Sequence, residues 1–216
     1  MRCPTMRSRT GSTSFCAAAT PRPWSNDMSL LVTASQTLGP FGAISFEQTQ
    51  IADVAAAGAG GERVTIRGRV LDADGNPVND AMVETWQANA HGKYAHPDDA
   101  QEKPLDDQFK GFGRVQTDSN GVFRLATIKP GRLPGPGGAL QAPHLVAVVF
   151  MRGLLKHLVT RIYFPDEPGN ADDPILKLIP PARRATLIAK KIAGEQGVLE
   201  WNIVLQGKDE TVFFDY

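Results

Sequence analysis

The chain has 216 residues, 42% hydrophobic and 21% charged, with 23 basic and 23 acidic side chains that cancel to a formal charge of zero. Zero net charge removes any global electrostatic case for nucleic acid or an anionic membrane as partner, and no stretch reaches the ~18 consecutive apolar residues of a membrane helix. The length suits one large domain with tails, and 21 glycines with 16 prolines, dispersed along the chain, predict many turns between short strands.

Residues 1–27 are basic and Ser/Thr-rich and lack the apolar stretch, about 7–15 residues long, of a secretory signal. Their composition predicts a disordered extension, with Met28 as the natural start. Cys3 and Cys16 are the two cysteines and both lie there. The fold is therefore expected to use neither disulfides nor a cysteine metal site, which fits a reducing cytoplasm. Residues 28–62 mix apolar and turn residues without a helical period and read as an extended arm, ending in the flexible joint "AAAGAGGE" at 55–62.

A β-sandwich domain is expected over 63–216. Val64, Ile66 and Gly68 alternate with charged residues, "DADGNP" (72–77) is a turn, and Ala81, Val83 and Thr85 resume the alternation. "GFGRVQTDSNGVFRLATIKPG" (111–131) repeats the device around "DSNG". "HLVAVVFMRG" and "HLVTRIYF" are two more strands around a glycine-containing bend, and "LEWNIVLQG" and "ETVFF" close the chain. One helix is predicted at 180–193, opened by proline, with Leu187, Ile188 and Ile192 on one face. The whole reads as all-β, a sandwich of about seven to eight strands with long loops and one minor helix.

Few residues stand out as chemistry. "DADGNP" lacks the further spaced acids and closing glutamate of a calcium loop and reads as a hairpin turn. "GPGG" (135–138) has no Lys-Ser/Thr after it and reads as loop. His91 and His96 lie in a polar loop and are expected to be solvated, and His157, at a strand start, structural. The pairs Arg183–Arg184 and Lys190–Lys191 read as the wet face of the helix. His144 opens a valine-rich strand, and by itself it is open to two readings, metal ligand or hydrogen-bonded core histidine.

Three segments in order, "ETWQANAHGKY", "FGRVQTDSNGVFRLATIKPG" and "APHLVAVVF", resemble the intradiol ring-cleavage dioxygenases. The arm "TASQTLGPF" and the ending "ETVFFDY" resemble the alpha-type chains of the family's two-chain members. The resemblance implies a mononuclear non-haem Fe(III) site built from two tyrosines and two histidines, a donor set suited to a hard cation. In this sequence the tyrosine positions fall at Tyr94 and Leu133. The His-x-His pair, on one face of a strand, falls at His144 and Val146, and an arginine preceding that pair falls at Gln141. With two of four ligands lost, these positions are expected to be the remnant of an iron site, with His144 hydrogen-bonded in a filled pocket. The resemblance then implies that this chain binds no metal. The iron would belong to a partner beta-type chain of an alpha–beta hetero-oligomer that opens 3,4-dihydroxybenzoate with O2 to 3-carboxy-cis,cis-muconate. Thr37, Gly39 and Pro40 in "QTLGP" would form a wall of the partner's substrate pocket, and Arg152 in "FMRG" would meet the substrate carboxylate. Two other readings stand beside it: a self-sufficient ferric dioxygenase using His91 or His96 as substitute ligands, and a non-enzymatic transthyretin-like binding module.

Overall fold

The computed structural model describes residues 34–215, with the side chains of Pro40 and Ala43 excepted. The expectations for residues 1–27, for the start at Met28 and for the arm as far as residue 33 lie outside the described residues.

Two sheets form the sandwich. The first holds β1 (Arg63–Leu71), β4 (Val122–Ile128), β9 (Lys190–Lys191), β10 (Val198–Glu200) and β11 (Ile203–Val204), with β1 paired to β4, β10 and β11. The second runs in the order β3 (Phe112–Gln116), β2 (Met82–Trp86), β7 (His144–Phe150) and β8 (Leu158–Tyr163), all antiparallel. A ribbon of β5 (Leu133–Pro134) and β6 (Leu140–Gln141) stands apart. The alternation read from the sequence faces the core as a strand period of two requires. Val64, Ile66 and Val70 of β1 meet Phe123 and Leu125 of β4 and Leu145, Ala147 and Val149 of β7 in one buried cluster. Gly68 interrupts that apolar row because Trp201 crosses it: a Cβ at Gly68 would lie 1.9 Å from the Trp201 carbonyl oxygen, too close for any side chain.

Four expectations need correction. The turns at Asp72 and Asp118 are built as expected: each aspartate accepts from backbone N–H groups two and four residues on, at 2.8–2.9 Å. Neither turn closes a hairpin of neighbouring strands, however. β1 and β2 lie in different sheets, and so do β3 and β4. The helix at 180–193 shrinks to a single helical turn (Pro181–Arg184) and a 3-10 turn at Ala185–Leu187. Beyond it Ile188 bridges Tyr163, and Lys190–Lys191 become β9 against β10, because pairing with an open sheet edge outweighs helix propensity. From residue 34 the arm has no regular secondary structure as far as Gly39, and then forms the helix α1 (Pro40–Glu47) in place of an extended segment. The Arg114 guanidinium on β3 lies 5.0 Å from the centre of the Phe46 ring. Finally, the joint is anchored at its start, where Val54 and Ala55 are buried in the main core and Ala55 bridges Phe109.

Candidate functional site

Sheet register sets the floor of the main site. Trp86 of β2 pairs with Val146 of β7, which pairs with Arg161 of β8. Since Leu145 and Ala147 point into the core, His144 and Val146 point out of the opposite face. Two loops raise the walls. Asn89 shapes the first: its Oδ1 accepts from the backbone N–H of His91 and Lys93, both at 3.0 Å, and its Nδ2 donates to the Pro104 carbonyl at 2.8 Å. Gly92 follows at φ +75°, and a Cβ there would lie 2.1 Å from the Arg132 carbonyl oxygen, so glycine lets this loop close on the second. Tyr94 then lies parallel to Trp86, ring centres 5.9 Å apart. From the second loop Leu133 is buried beside its strand partner Gln141.

All five positions carried over from the iron site, Tyr94, Leu133, Gln141, His144 and Val146, line one cleft of about 920 Å³. The expectation of a filled pocket is corrected: the loops hold the cleft open. His96 stands at its rim, and its Nδ1 accepts from the Asp98 N–H at 3.2 Å. His91 is exposed, and His157 is also exposed, with its ring 5.5 Å from Phe150.

Arg161 dominates the electrostatics. Its Nη1 donates to Gln141 Oε1 at 2.6 Å and to the Tyr163 hydroxyl at 3.5 Å. His144 is 2% exposed, and its Nδ1 lies 2.8 Å from the Ala142 carbonyl. A carbonyl only accepts, so that nitrogen carries the proton. Burial first, then the charge of Arg161, lowers the His144 pKa to about 4 against the smaller opposing pull of Asp173, so the ring is neutral at pH 7. Burial raises the Tyr94 and Tyr163 phenols, with Arg161 opposing in both cases. Beneath the floor, the fully buried Asp173 accepts from Ala142 N at 2.7 Å, from Ile175 N and Leu176 N at 2.9 and 2.8 Å, and from the Tyr163 hydroxyl at 3.3 Å.

This donor set does not fit a ferric ion. It offers one phenol whose ionisation burial opposes, one imidazole, and a guanidinium whose positive charge repels a cation, where a hard trivalent ion needs anionic oxygen donors. Among the described residues no three His, Cys, Asp or Glu side chains are grouped to hold a metal.

A second group of predicted residues meets at the other end of the sheet. The Gly153 N–H, on the β7–β8 bend, donates to Thr37 Oγ1 at 2.7 Å, and Thr37 and Gly39 border a cleft of about 440 Å³ with Phe150 and Leu154. Gly39 has ordinary extended backbone, and a Cβ on it would meet nothing within 4 Å. Pro40 opens α1. Arg152, on the same bend and 62% exposed, donates from Nε to Asp80 Oδ2. Sequence reading missed Trp86, Arg161, Asp173 and Asp80. Arg161 alone left a signal, a charge inside the apolar run "HLVTRIYF".

His144 yields a pH prediction. An unfolded histidine takes its proton near pH 6.5 and the folded one near 4. Between these values the unfolded chain holds more protons, so stability rises with pH. The contribution is fully present above about pH 6.5 and is lost as pH falls to 4, worth ~3 kcal/mol in all. Unfolding free energies across pH 4–7 for the wild-type chain and His144→Gln should differ in slope by this amount; parallel curves would place the imidazole in water.

The Dioxygenase family profile matches residues 40–207. The protocatechuate 3,4-dioxygenase alpha chain of Burkholderia cepacia is 43% identical over 198 residues, 85% of this chain and 96% of that one. The beta chain from the same organism is 42% identical over 158 residues, 70% of this chain and 67% of its own length. Among solved structures, the dioxygenase domain of a dioxygenase carbohydrate-binding protein fusion from Streptomyces sp. SirexAA-E covers 74% of this chain and 89% of its own, at TM-score 0.56 and 24% identity, a likeness of fold. Among the described residues no helix is long and apolar enough to cross a membrane.

Proposed function

This chain belongs to the intradiol dioxygenase family, whose members use non-haem Fe(III), and we propose that it is the alpha-type subunit of a protocatechuate 3,4-dioxygenase, without iron of its own. It pairs with a beta-type chain that holds the ferric ion, and the assembled enzyme opens 3,4-dihydroxybenzoate with O2 to 3-carboxy-cis,cis-muconate. The chemistry at the ring belongs to that partner, and no step of it falls to residues of this chain.

One observation carries the reading. Of the family's four ligand positions, gathered around one cleft, two hold Leu133 and Val146, and Arg161 stands directly across the sheet from Val146. The work left to this chain is to shape the partner's substrate pocket and to assemble with it. Thr37, Gly39 and Pro40 supply a wall, and Arg152 on the neighbouring bend supplies a planar cation for the substrate carboxylate.

The test is metal analysis of this chain purified alone and co-purified with a beta-type chain. Alone, it should carry no stoichiometric iron and cleave neither catechol nor 3,4-dihydroxybenzoate; together, iron should follow the beta-type chain one to one. Near-stoichiometric iron in the lone chain, with the red-brown colour of tyrosinate bound to ferric iron, would overturn the proposal. Leu133→Tyr with Val146→His restores the two donors, yet this double variant should still bind iron only weakly while Arg161 remains in the cleft, since like charges repel in a partly desolvated site.

A further inference from the structure

We propose that Thr37 is a positioning residue for substrate recognition: its hydroxyl fixes the β7–β8 bend and so sets where Arg152 presents its guanidinium. This role rests on the function proposed above and deepens it at the same cleft.

The bend needs a hold from outside. β7 ends at Phe150 and β8 begins at Leu158. Within the connection the turn bond from Leu154 N to the Met151 carbonyl is 3.5 Å long, beyond the range of about 2.7–3.2 Å usual for N–H···O. Gly153 has φ +90°, and a Cβ on it would meet nothing within 4 Å, so packing does not steady that side of the turn. Two contacts from distant parts of the chain do. Asp80 accepts from Arg152 Nε, and Thr37 Oγ1 accepts from the Gly153 N–H at 2.7 Å, across 116 residues of sequence. The two residues held in this way are neighbours.

The two holds act differently. Asp80 meets the guanidinium, the far end of a flexible side chain, whereas Thr37 holds the backbone from which that side chain starts. A shift of the bend carries the guanidinium with it, and recognition of a carboxylate by a planar cation depends on direction. Thr37 is itself tied to the domain through α1. The Gly39 carbonyl accepts from Gly42 N at 2.9 Å at the start of that helix. Beyond its end, Thr49 Oγ1 accepts from Arg114 Nη1 of β3 at 3.3 Å. The hydrogen bond to Gly153 passes this anchorage on to the bend. Thr37 is exposed in the chain by itself, where water competes for the Gly153 N–H. With a partner chain over the cleft, water is excluded and the bond gains strength.

Thr37→Val keeps the shape of the side chain and loses the hydroxyl; Thr37→Ser keeps the hydroxyl. In the complex with a beta-type chain, at equal iron content, Thr37→Val should lower kcat/KM for 3,4-dihydroxybenzoate about two- to tenfold relative to catechol. KM should change more than kcat. A hydroxyl that works through Arg152 can cost no more than Arg152 itself, so the loss should stay below that of Arg152→Ala. Thr37→Ser should recover the wild-type ratio of the two substrates. In the Arg152→Ala background Thr37→Val should not change that ratio further, the mark of two residues acting through one contact. In the chain alone, the Gly153 amide should exchange its hydrogen faster in Thr37→Val than in the wild type or Thr37→Ser. The proposal is overturned if Thr37→Val leaves the substrate ratio or the Gly153 exchange as in the wild type, if its effect persists undiminished after Arg152→Ala, or if Thr37→Ser does not rescue. An undiminished effect would mean that Thr37 touches the substrate directly. Failure of the proposed function would appear separately, as iron on this chain, as a wild-type complex without turnover, or as an Arg152→Ala complex that treats both substrates alike. Any of these would overturn the role of Thr37 as well, and the Gly153 exchange would still report the hydrogen bond.

Discussion

Replacing Arg152 with alanine in the assembled enzyme is expected to lower kcat/KM for 3,4-dihydroxybenzoate about ten- to a hundredfold and to leave catechol nearly unaffected. A charge-assisted contact to a carboxylate contributes ~1.5–3 kcal/mol, which is one to two powers of ten. The carboxylate is remote from the bond that breaks, so the contact acts on ground state and transition state alike, and KM should rise more than kcat falls. Catechol lacks the carboxylate and serves as internal control. In the chain itself Arg152 is turned toward Asp80. An ion pair whose arginine is 62% exposed is worth only ~0–1 kcal/mol, so this pairing orients the guanidinium without trapping it. Asp80→Asn should therefore cost less than Arg152→Ala on the same substrate. The assay holds iron content equal and compares both substrates; equal losses on the two would mean that Arg152 supports the assembly and does not read the substrate.

Asp173→Ala is expected to destabilise the chain by about 3–5 kcal/mol, the upper end for a single substitution. The carboxylate is fully buried and accepts from Ala142 N, Ile175 N, Leu176 N and the Tyr163 hydroxyl. Each donor orphaned away from water costs ~1–3 kcal/mol, and loss of the cap of the five-residue helix α2 (Pro174–Leu178) adds ~1 kcal/mol. Asp173→Asn should recover only part of this. One amide oxygen still accepts from Ile175 and Leu176, but the amide nitrogen then faces the Ala142 N–H, donor against donor. Denaturant unfolding of the three proteins measures the series, and a loss under 1 kcal/mol for alanine would show that water replaces the carboxylate. Because the Ala142 carbonyl accepts the hydrogen bond from His144 Nδ1–H, the alanine variant should also disturb the histidine, read as a change in its titration.

The sequence by itself determined what depends on neighbours along the chain. The period-two rows of β1, β7 and β8 were legible, because a strand turns successive side chains to opposite faces. So was the construction of the turns at Asp72 and Asp118, whose side chains bond their own backbone. The spacing of two that aligns His144 with Val146 is equally local. The resemblance placed five residues around one site, and the cleft gathers all five. Tertiary structure alone decided what depends on partners distant in sequence. Both aspartate turns lead the chain from one sheet to the other, because strand alternation specifies a face and leaves the partner strand open. Residues 188–191 have helical propensity, yet they bridge Tyr163 and pair with β10. Arg161 reads as one charge in an apolar run until register sets it across from Val146, and Asp173 and Asp80 acquire their roles only when the fold brings Ala142 and Arg152 to them. Periodicity and capping act over a few residues; sheet pairing and burial act over the whole chain, and they decided what the cleft contains.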